Sequence, residues 1–351
     1  MHRGRIRCEG CSVCATHHAS HSVSISTMAK TTARSAPRLT AAAPLAIALA
    51  MLTIYIVWGT TYLAIRVVVD PDQGVAIPPF AMVAIRFAFA GLAMLALVAV
   101  FARDALRSLT RAQIRDQAIV GLALNVGGLG VTSFGEQTIP SGITALLIAL
   151  LPIWVAVIGR VIYKDRIAPL SILGIAVGIV GVIILISPDA GDAGLDPLGL
   201  ACILFSPLSW GGGSIWSQRG AATPADSRVA VAIQMLAGSI GGAVIATLLG
   251  EWKDVQFGAL GSDVIFALAY LIVVGSLIAY NVYTWLLRVA PFGLVSTYAY
   301  VNPVVAVLAG SFILSEPISA QLIAGGAVVV VGVAIMVTAR NRTIARGAAS
   351  H

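Results

Sequence analysis

Apolar residues are gathered into ten blocks along the chain, and short polar gaps separate them. Most blocks have the length of a helix of about 20 residues, which crosses about 30 Å of hydrocarbon. None shows the strict alternation over about 10 residues that marks a strand of a membrane barrel. Because lipid offers the backbone no hydrogen-bond partners, the pattern predicts an all-α membrane protein with ten transmembrane helices. The blocks are Pro44–Val69, Ile77–Phe101, Gln117–Phe134, Gly142–Tyr163, Leu170–Ser187, Pro197–Gln218, Val229–Gly250, Val264–Leu287, Gly293–Leu314 and Ala320–Thr338.

Basic residues are concentrated in alternate gaps between these blocks. Of the 22 lysines and arginines, 19 lie in the two terminal tails or in and beside the gaps after the second, fourth, sixth and eighth blocks, with Arg160 counted at the end of the fourth block. The other gaps are acidic or neutral, as at Asp189, Asp192 and Asp196. An excess of Lys and Arg marks the cytoplasmic side of a membrane protein. We therefore expect a multi-pass protein of the bacterial inner (plasma) membrane with both termini in the cytoplasm, which an even number of spans also requires.

Composition excludes several classes of protein. Among the 351 residues, 58% are apolar and only 11% are charged, whereas soluble domains have about 25% charged residues. An ordinary soluble enzyme, a disordered protein and a secreted disulfide scaffold do not have this composition. The net charge of +7 fits the cytoplasmic gaps, so no nucleic-acid partner is expected. The expected partners are the lipid bilayer and a small-molecule substrate.

The two halves of the chain share a repeated pattern. Pro140, Gly142 and Pro152 are matched 151 residues later by Pro291, Gly293 and Pro303. The repeat unit has five spans, an odd number, so the second copy must enter the membrane upside down. Inverted repeats are typical of secondary transporters. The predicted organisation is a cytoplasmic tail that is disordered or an over-extended start (1–43), a first repeat (44–187), a second repeat (197–338) and a C-terminal cytoplasmic tail (339–351).

Three motifs stand in the first, second and ninth blocks: Trp58-Gly-Thr-Thr-Tyr-Leu-Ala-Ile-Arg66, Arg86-Phe-Ala-Phe-Ala-Gly91 and Tyr298-Ala-Tyr-Val-Asn-Pro-Val-Val-Ala306. Together with Glu136-Gln-Thr-Ile-Pro-Ser-Gly142 and Leu208-Ser-Trp-Gly211, they resemble the EamA family of the drug/metabolite transporter superfamily. The resemblance extends over about residues 46–337 and includes both repeats. It implies a transporter of small solutes, often outward, and leaves the solute open.

Arg86 is the charge that lies unambiguously inside a block. An arginine at the centre of a bilayer costs about 2.5–3.5 kcal/mol on insertion scales, so it must face a cavity, carbonyl groups or a partner. It could attract an anionic group of the substrate, or it could attach its helix to neighbouring carbonyls. The repeat places Gln234 at the matched depth, which favours a structural role in both halves.

Glu136 stands where the third block meets its outer gap. A carboxylate at the mouth of a cavity can take and release a proton, because burial would raise its pKa toward the working range. The alternative is a solvated loop glutamate, and the two are weighed equally. Asp116 and Glu316 lie at gap edges, where a topological role is expected.

Aromatic and amide side chains inside the blocks are the best candidates for binding a solute. The fifth and tenth blocks contain almost no polar residues, so they are expected at the periphery, against the other helices or in a homodimer contact. Pro152 and Pro303 remove backbone donors from the fourth and ninth blocks, which frees carbonyls one turn earlier for binding or bending. The candidates for substrate binding are Trp58, Thr61, Tyr62, Asn125, Trp210, Ser214, Tyr280, Asn281, Tyr298, Tyr300 and Asn302.

The first 27 residues contain Cys8-x-x-Cys11-x-x-Cys14-x-x-His17-His18-x-x-His21. Cysteine and histidine at such spacing can hold zinc. The segment has almost no aliphatic residues to fold around a metal, and Met28-Ala-Lys30 resembles an ordinary start. We therefore expect an over-extended start or a disordered tail, and no metal site.

The blocks contain no phosphate-binding loop of the Gly-x-x-x-x-Gly-Lys-[Ser/Thr] type, so no intrinsic ATPase and no cofactor are expected. Transport would then depend on a gradient. The function expected is a secondary transporter that exports small metabolites, amino-acid-like or drug-like, by alternating access, and proton coupling is left open. The alternative is a membrane-embedded enzyme or receptor on the same scaffold, for which the sequence offers no nucleophile, metal pair or soluble output domain.

Overall fold

A computed structural model describes residues 44–73, 75–165, 167–187, 195–290, 292–295 and 297–349. The predicted N-terminal tail and its Cys/His motif lie outside the described residues, as do Asp189 and Asp192. In the described part every regular element is a helix.

Eight helices of the described chain are long and apolar enough to cross a membrane. Two further helices, α9 and α10, have shorter apolar parts, Val301–Leu314 and Ala320–Met336. The prediction of ten spans therefore stays a prediction for the last two. The helices are α1 Pro44–Val69, α2 Pro79–Phe101, α3 Arg111–Gly135, α4 Ser141–Ile162, α5 Pro169–Ile186, α6 Pro197–Arg219, α7 Ser227–Leu249, α8 Ser262–Leu286, α9 Tyr298–Leu314 and α10 Ala320–Ala349.

The helix ends follow local signals that hydrophobicity does not report. Helix α3 begins six residues before its apolar block, because Thr110 and Gln113 form a capping box that satisfies the first backbone donors. Asp196 caps α6 by accepting a hydrogen bond from the N–H of Gly199. Helix α10 continues to Ala349, past its apolar block. Polar residues thus extend helices whose apolar parts were predicted.

Helices α3 and α8 each contain a π-helical segment, over Leu122–Gly130 and Leu271–Tyr280. Such segments are rare and are frequent at functional sites. Helix α4 is interrupted instead. It consists of Ser141–Ile148 and Leu151–Ile162, and Pro152 stands in the first turn of the second part. Pro303 lies inside α9.

Glycines allow α5 and α10 to pack backbone against backbone. A Cβ on Gly174 would lie 2.6 Å from the carbonyl oxygen of Gly332, and a Cβ on Gly332 would lie 2.4 Å from the backbone nitrogen of Gly178. Small residues of this kind permit close helix association in lipid. The two helices form a pair, and α2 and α7 form another.

The bundle has two chemically different ends. Arg66 at the end of α1 donates to the backbone oxygens of Glu136 and Ile139, and Glu251 accepts a hydrogen bond from Ala81 at the start of α2. We call this the acidic end, because it carries Asp70, Asp72, Glu136, Asp196, Glu251, Asp254, Asp263 and Glu316 against Arg66 and Lys253. At the opposite, basic end, Arg219 of α6 forms an ion pair of 2.7 Å with Asp165.

Helices α4 and α9 end in the same way. Lys164 and Ser315 have positive φ angles of 60° and 57°. The residue after each one folds back, so that Asp165 donates its N–H to the oxygen of Gly159, and Glu316 donates its N–H to the oxygen of Gly310. The Cβ that Gly310 lacks would lie 2.4 Å from a carboxylate oxygen of Glu316. The glycine therefore makes room for the acidic side chain that follows the helix.

Candidate functional site

A cavity of about 90 Å³ lies among α1, α2, α3, α4, α6, α8 and α9. Its wall includes Trp58, near the middle of α1, and the residues around the break in α4. Helices α5, α7 and α10 contribute nothing to its wall. Nine of the residues singled out from the sequence line it: Trp58, Thr61, Tyr62, Arg86, Trp210, Tyr280, Tyr298, Asn302 and Pro303.

Aromatic rings cluster around Trp58. Its ring centroid lies 4.8 Å from that of Tyr283, 5.2 Å from that of Tyr298 and 6.2 Å from that of Trp210. The contacts with Tyr298 and Trp210 are edge-to-face, a geometry that aromatic rings prefer. The cluster joins α1, α6, α8 and α9 and gives the cavity a rigid aromatic wall.

Arg86 is buried, with 4% of its surface exposed, and it lines the cavity. Its Nε atom donates to Ser276 Oγ at 2.9 Å, and Ser276 donates in turn to the backbone oxygen of Leu271 in the π-helical segment of α8. Within the described residues, no carboxylate lies within 4 Å of the guanidinium. Arg86 thus serves as a link between helices and also presents a positive charge at the cavity.

Gln234, the counterpart of Arg86 in the second half, has different surroundings. Its side chain donates to Gln117 Oε1 at 2.7 Å and accepts a hydrogen bond of 2.5 Å from the hydroxyl of Tyr280. Its backbone oxygen accepts from Asn125 Nδ2 at 3.0 Å. Gln234 therefore joins α7 to α3 and α8, and it holds Tyr280, which reaches the cavity.

Some candidates lie away from the cavity wall. Asn125 is buried against Gly238 and Gln234. Ser214 and Asn281 donate to carbonyl oxygens of their own helices, those of Trp210 and Leu277. Pro152 is not in the wall, although Ile148, Ala149 and Leu151 beside it are. Tyr300 lies on α9, and the position of its side chain is outside the described part of the structure.

Other residues of the wall were not singled out from the sequence. Thr132 of α3 donates to Ser206 of α6 at 2.8 Å, and both face the cavity beside Pro207. Gly275 faces it beside Arg86. A serine, a threonine or a glycine in an apolar block has no signature of its own. Ser276, which holds Arg86, is the exception. It lies 151 residues after Asn125, so the repeat marks it as the equivalent of a residue that the sequence singled out.

Glu136 is completely buried, so the alternative of a solvated loop glutamate is wrong. Arg66 binds its backbone oxygen and forms its own ion pair of 2.8 Å with Asp70. Neither carboxyl oxygen of Glu136 has a hydrogen-bond partner in the described chain. Burial therefore raises the pKa of Glu136 well above its ordinary value, while Arg66 acts in the opposite direction and Glu316 adds to the rise. Burial thus favours the protonated, neutral form of this carboxyl more than water does.

Glu316 joins the end of α9 to the start of α4. Its Oε1 accepts from the backbone N–H of Ser141 at 2.9 Å, and its Oε2 accepts from the Ser141 hydroxyl at 2.9 Å and from the N–H of Gly142 at 3.3 Å. A carboxylate is stabilised there because the first donors of a helix are otherwise unpaired. This contact ties the two halves of the chain together at the acidic end.

The described residues contain no group of three or more His, Cys, Asp and Glu side chains that could hold a metal ion. Cys202, the cysteine in that part of the chain, is not in a disulfide.

Comparison with known proteins identifies one family. The model of the EamA-like transporter family matches residues 45–187 and again residues 197–338. An inner membrane transporter of Escherichia coli K12, YedA, which is described as uncharacterized, is 35% identical over 77% of this chain and 83% of its own length. A probable amino-acid metabolite efflux pump of Salmonella typhimurium is 22% identical over 82% of this chain and 93% of its own length.

A crystal structure of another protein has a similar fold. It aligns with 85% of this chain and 99% of its own, with a TM-score of 0.59 and 22% identity. The likeness concerns the arrangement of the backbone alone.

The burial of Glu136 predicts a pH dependence of stability. In the unfolded chain the Glu136 carboxyl titrates at about pH 4.3, and burial raises its pKa above this value in the folded protein. The folded state thus keeps a proton that the unfolded state releases, so stability falls as pH rises through this interval. Glu136→Gln should remove this fall in stability, because glutamine carries no proton to lose. The melting temperature at about pH 8 should then rise by about 2–4 °C for each kcal/mol of folding stability regained.

Thermal unfolding in detergent at about pH 5 and about pH 8 measures this difference. Asp104→Asn, at a carboxylate that is 100% exposed, is the control and should behave as the wild type. A Glu136→Gln protein with the wild-type difference between the two pH values would contradict the protonated state of Glu136.

Proposed function

Because this chain belongs to the EamA-like transporter family, we propose that it is a secondary transporter that exports small metabolites by alternating access. That it is a membrane transporter follows from the family and from YedA. The proposal of export by alternating access rests on the cavity. Seven helices from both halves of the chain enclose it, and its wall combines aromatic rings, hydroxyls and one guanidinium. Sites of this kind lie between the repeats of secondary transporters.

Alternating access requires two halves that can exchange roles, and we propose two inverted repeats. Four observations support them. The family model matches twice, and π-helical segments occur in both α3 and α8. Helices α4 and α9 end with the same backbone geometry. The contact between Asn125 and Gln234 corresponds to the contact between Ser276 and Arg86, with α3 and α7 in place of α8 and α2.

The proposed exchange would move α4 and α9 against the rest of the bundle. Helix α4 is interrupted next to the cavity, and α9 contains Pro303 in the cavity wall. Glu316 holds the start of α4 to the end of α9 at the acidic end. Helices α5 and α10 lie outside the cavity wall, and their exposed apolar faces, such as Ile179 and Ile323, fit lipid or a homodimer contact.

For the solute, we propose an amino-acid-like or drug-like metabolite. The aromatic cluster around Trp58 suits an apolar body, and the polar groups of the wall suit a small head group. The Salmonella relative is named as a probable efflux pump for amino-acid metabolites, which agrees with export. In the described chain the wall contains no carboxylate, histidine or cysteine, and nothing there favours the alternative of a membrane-embedded enzyme or receptor.

The orientation we propose puts the basic end in the cytoplasm, together with both termini. Reporter fusions after Arg107, Lys164 and Arg342 should then give a cytoplasmic signal. Fusions near Gln73, Asp192 and Lys253 should give a periplasmic one, because a Lys and Arg excess is retained on the cytoplasmic side. A periplasmic signal from the Arg342 fusion would contradict ten spans.

Export can be tested without knowing the solute. Metabolites in the medium are compared between cells that overproduce the wild-type protein and cells that overproduce Ala149→Phe. Ala149 lines the cavity and is 4% exposed, so a phenyl ring there should fill the site. We expect solutes that accumulate outside wild-type cells to fall by about tenfold or more with this variant, because a packed cavity has no room for them.

Ala48→Phe is the matched control, because Ala48 lies on the exposed face of α1. It should export as the wild type does, at equal amounts of protein in the membrane. Equal metabolite profiles with and without the wild-type protein would contradict export.

For coupling, we propose that Glu136 takes and releases a proton as access alternates. The groups around it are Arg66, Tyr62 and Glu316, which belong to α1 and to the segment after α9. Glutamine has the shape of a protonated glutamate. Glu136→Gln should therefore keep counterflow exchange of solute in proteoliposomes and lose net flux driven by a pH gradient. Wild-type flux under the gradient would exclude Glu136 as the coupling group.

A further inference from the structure

The cavity has an uneven balance of charge. Among the described residues of its wall, Arg86 is the one that carries a formal charge at neutral pH, and the others are apolar, aromatic, hydroxyl or amide residues. No described carboxylate lies within 4 Å of the guanidinium. A buried charge is costly unless it is paired. The described wall therefore contains no negatively charged group that pairs with Arg86.

The guanidinium is held in a fixed direction. Its Nε donates to Ser276 Oγ at 2.9 Å, and Ser276 is itself anchored to the oxygen of Leu271. Phe87 lies against the same group, with the guanidinium carbon 5.1 Å from the ring centroid. A guanidinium bound through Nε alone keeps its Nη atoms for a second partner. Two such donors match the two oxygens of a carboxylate.

Space for that partner is the cavity itself, which Arg86, Thr61 and Gly275 all border. Gly275 packs closely against the other two, because a Cβ at this position would lie 3.1 Å from Arg86 Nη2 and 3.3 Å from the methyl carbon of Thr61, closer than ordinary van der Waals contact. The glycine therefore lets the guanidinium lie against α8 at the cavity wall.

We propose that the transported solute is a small organic monoanion, whose carboxylate binds Arg86 from the cavity, beside Thr61 and Gly275. Its apolar body lies on the rings of Trp58, Trp210 and Tyr298, which line the same cavity. Cations are disfavoured, because Arg86 repels them and the described wall offers them no counter-charge. Zwitterions bind more weakly than the corresponding acid, because no described carboxylate of the wall receives their ammonium group. This proposal rests on the proposed transport function and narrows its amino-acid-like solutes to acids without a free ammonium group.

Four probes of one skeleton test the charge. Phenylacetate is anionic, phenylacetamide is its neutral isostere, 2-phenylethylamine is cationic and phenylglycine is zwitterionic. Binding to the purified full chain in nanodiscs is followed by tryptophan fluorescence, since Trp58 and Trp210 are in the wall. We expect phenylacetate to bind about tenfold or more tightly than each of the others, a typical effect of a buried charge-assisted hydrogen bond.

Variants of two residues assign the effect to Arg86. Arg86→Gln should abolish the preference for phenylacetate over phenylacetamide, and Arg86→Lys should restore part of the preference. Ser276→Ala should reduce the preference, because Ser276 is a positioning residue for the guanidinium. Ser239→Ala is the matched control. Ser239 joins α7 to α2 by donating to the oxygen of Ala84, as Ser276 joins α8 to α2, but it does not line the cavity.

The outcomes separate this proposal from export itself. Equal or tighter binding of the amide, the amine or phenylglycine to the wild-type protein would overturn the anion proposal, and so would binding of none of the four. A preference for phenylacetate that survives in Arg86→Gln would also overturn it. If Arg86→Gln does not fold, the wild-type ranking of the four probes still decides. Export of metabolites that Ala149→Phe blocks would stand in each of these cases.

Discussion

In hydrocarbon, a polar group must find its partner within the protein, and this constraint shapes the whole molecule. Several buried polar side chains accordingly form hydrogen bonds across helix boundaries. Gln117, Gln234 and Tyr280 form one chain of hydrogen bonds. Arg86 and Ser276 form another. The aromatic wall and the guanidinium meet at the cavity because six helices direct polar or aromatic side chains into it.

Two kinds of helix contact divide the structure. Helices α5 and α10 pack through glycines with almost no polar groups, which gives a dense contact that excludes solute. The helices around the cavity are different, because they contain proline, π-helical segments and a break in α4. Irregular backbone within a membrane is tolerated where it lies in protein or lines a cavity. The irregular helices therefore all line the cavity, and α5 and α10 lie outside its described wall.

The two ends of the bundle differ in how their charges are satisfied. At the acidic end, Glu251 and Glu316 accept hydrogen bonds from the first backbone donors of α2 and α4, so that carboxylates complete the helix starts. Glu136 lies among them without a partner for either oxygen. At the basic end, Arg219 and Asp165 form an ion pair that is partly exposed, and such pairs contribute little to stability.

The amino-acid sequence by itself determined the helices and the family. The limits of α1 at Pro44 and Val69 were predicted, since the free energy of burying a helix in lipid is a sum over neighbouring residues. The high cost of a buried arginine also indicated that Arg86 faces inward. Tertiary structure decided the site. Glu136 lies between two apolar blocks of the sequence. It is buried because segments that are distant in sequence, those with Arg66 and Glu316, lie beside it in the fold.

The same distinction applies to the polar residues of the helices. Trp58 and Trp210 line the same cavity. Asn125, Ser214 and Asn281 instead donate hydrogen bonds to backbone carbonyls of their own or neighbouring helices. A residue type and its depth do not specify the rotation of a helix about its axis. That rotation is set by which side chains interlock between helices far apart in sequence, and contacts of that kind exist only in the folded chain.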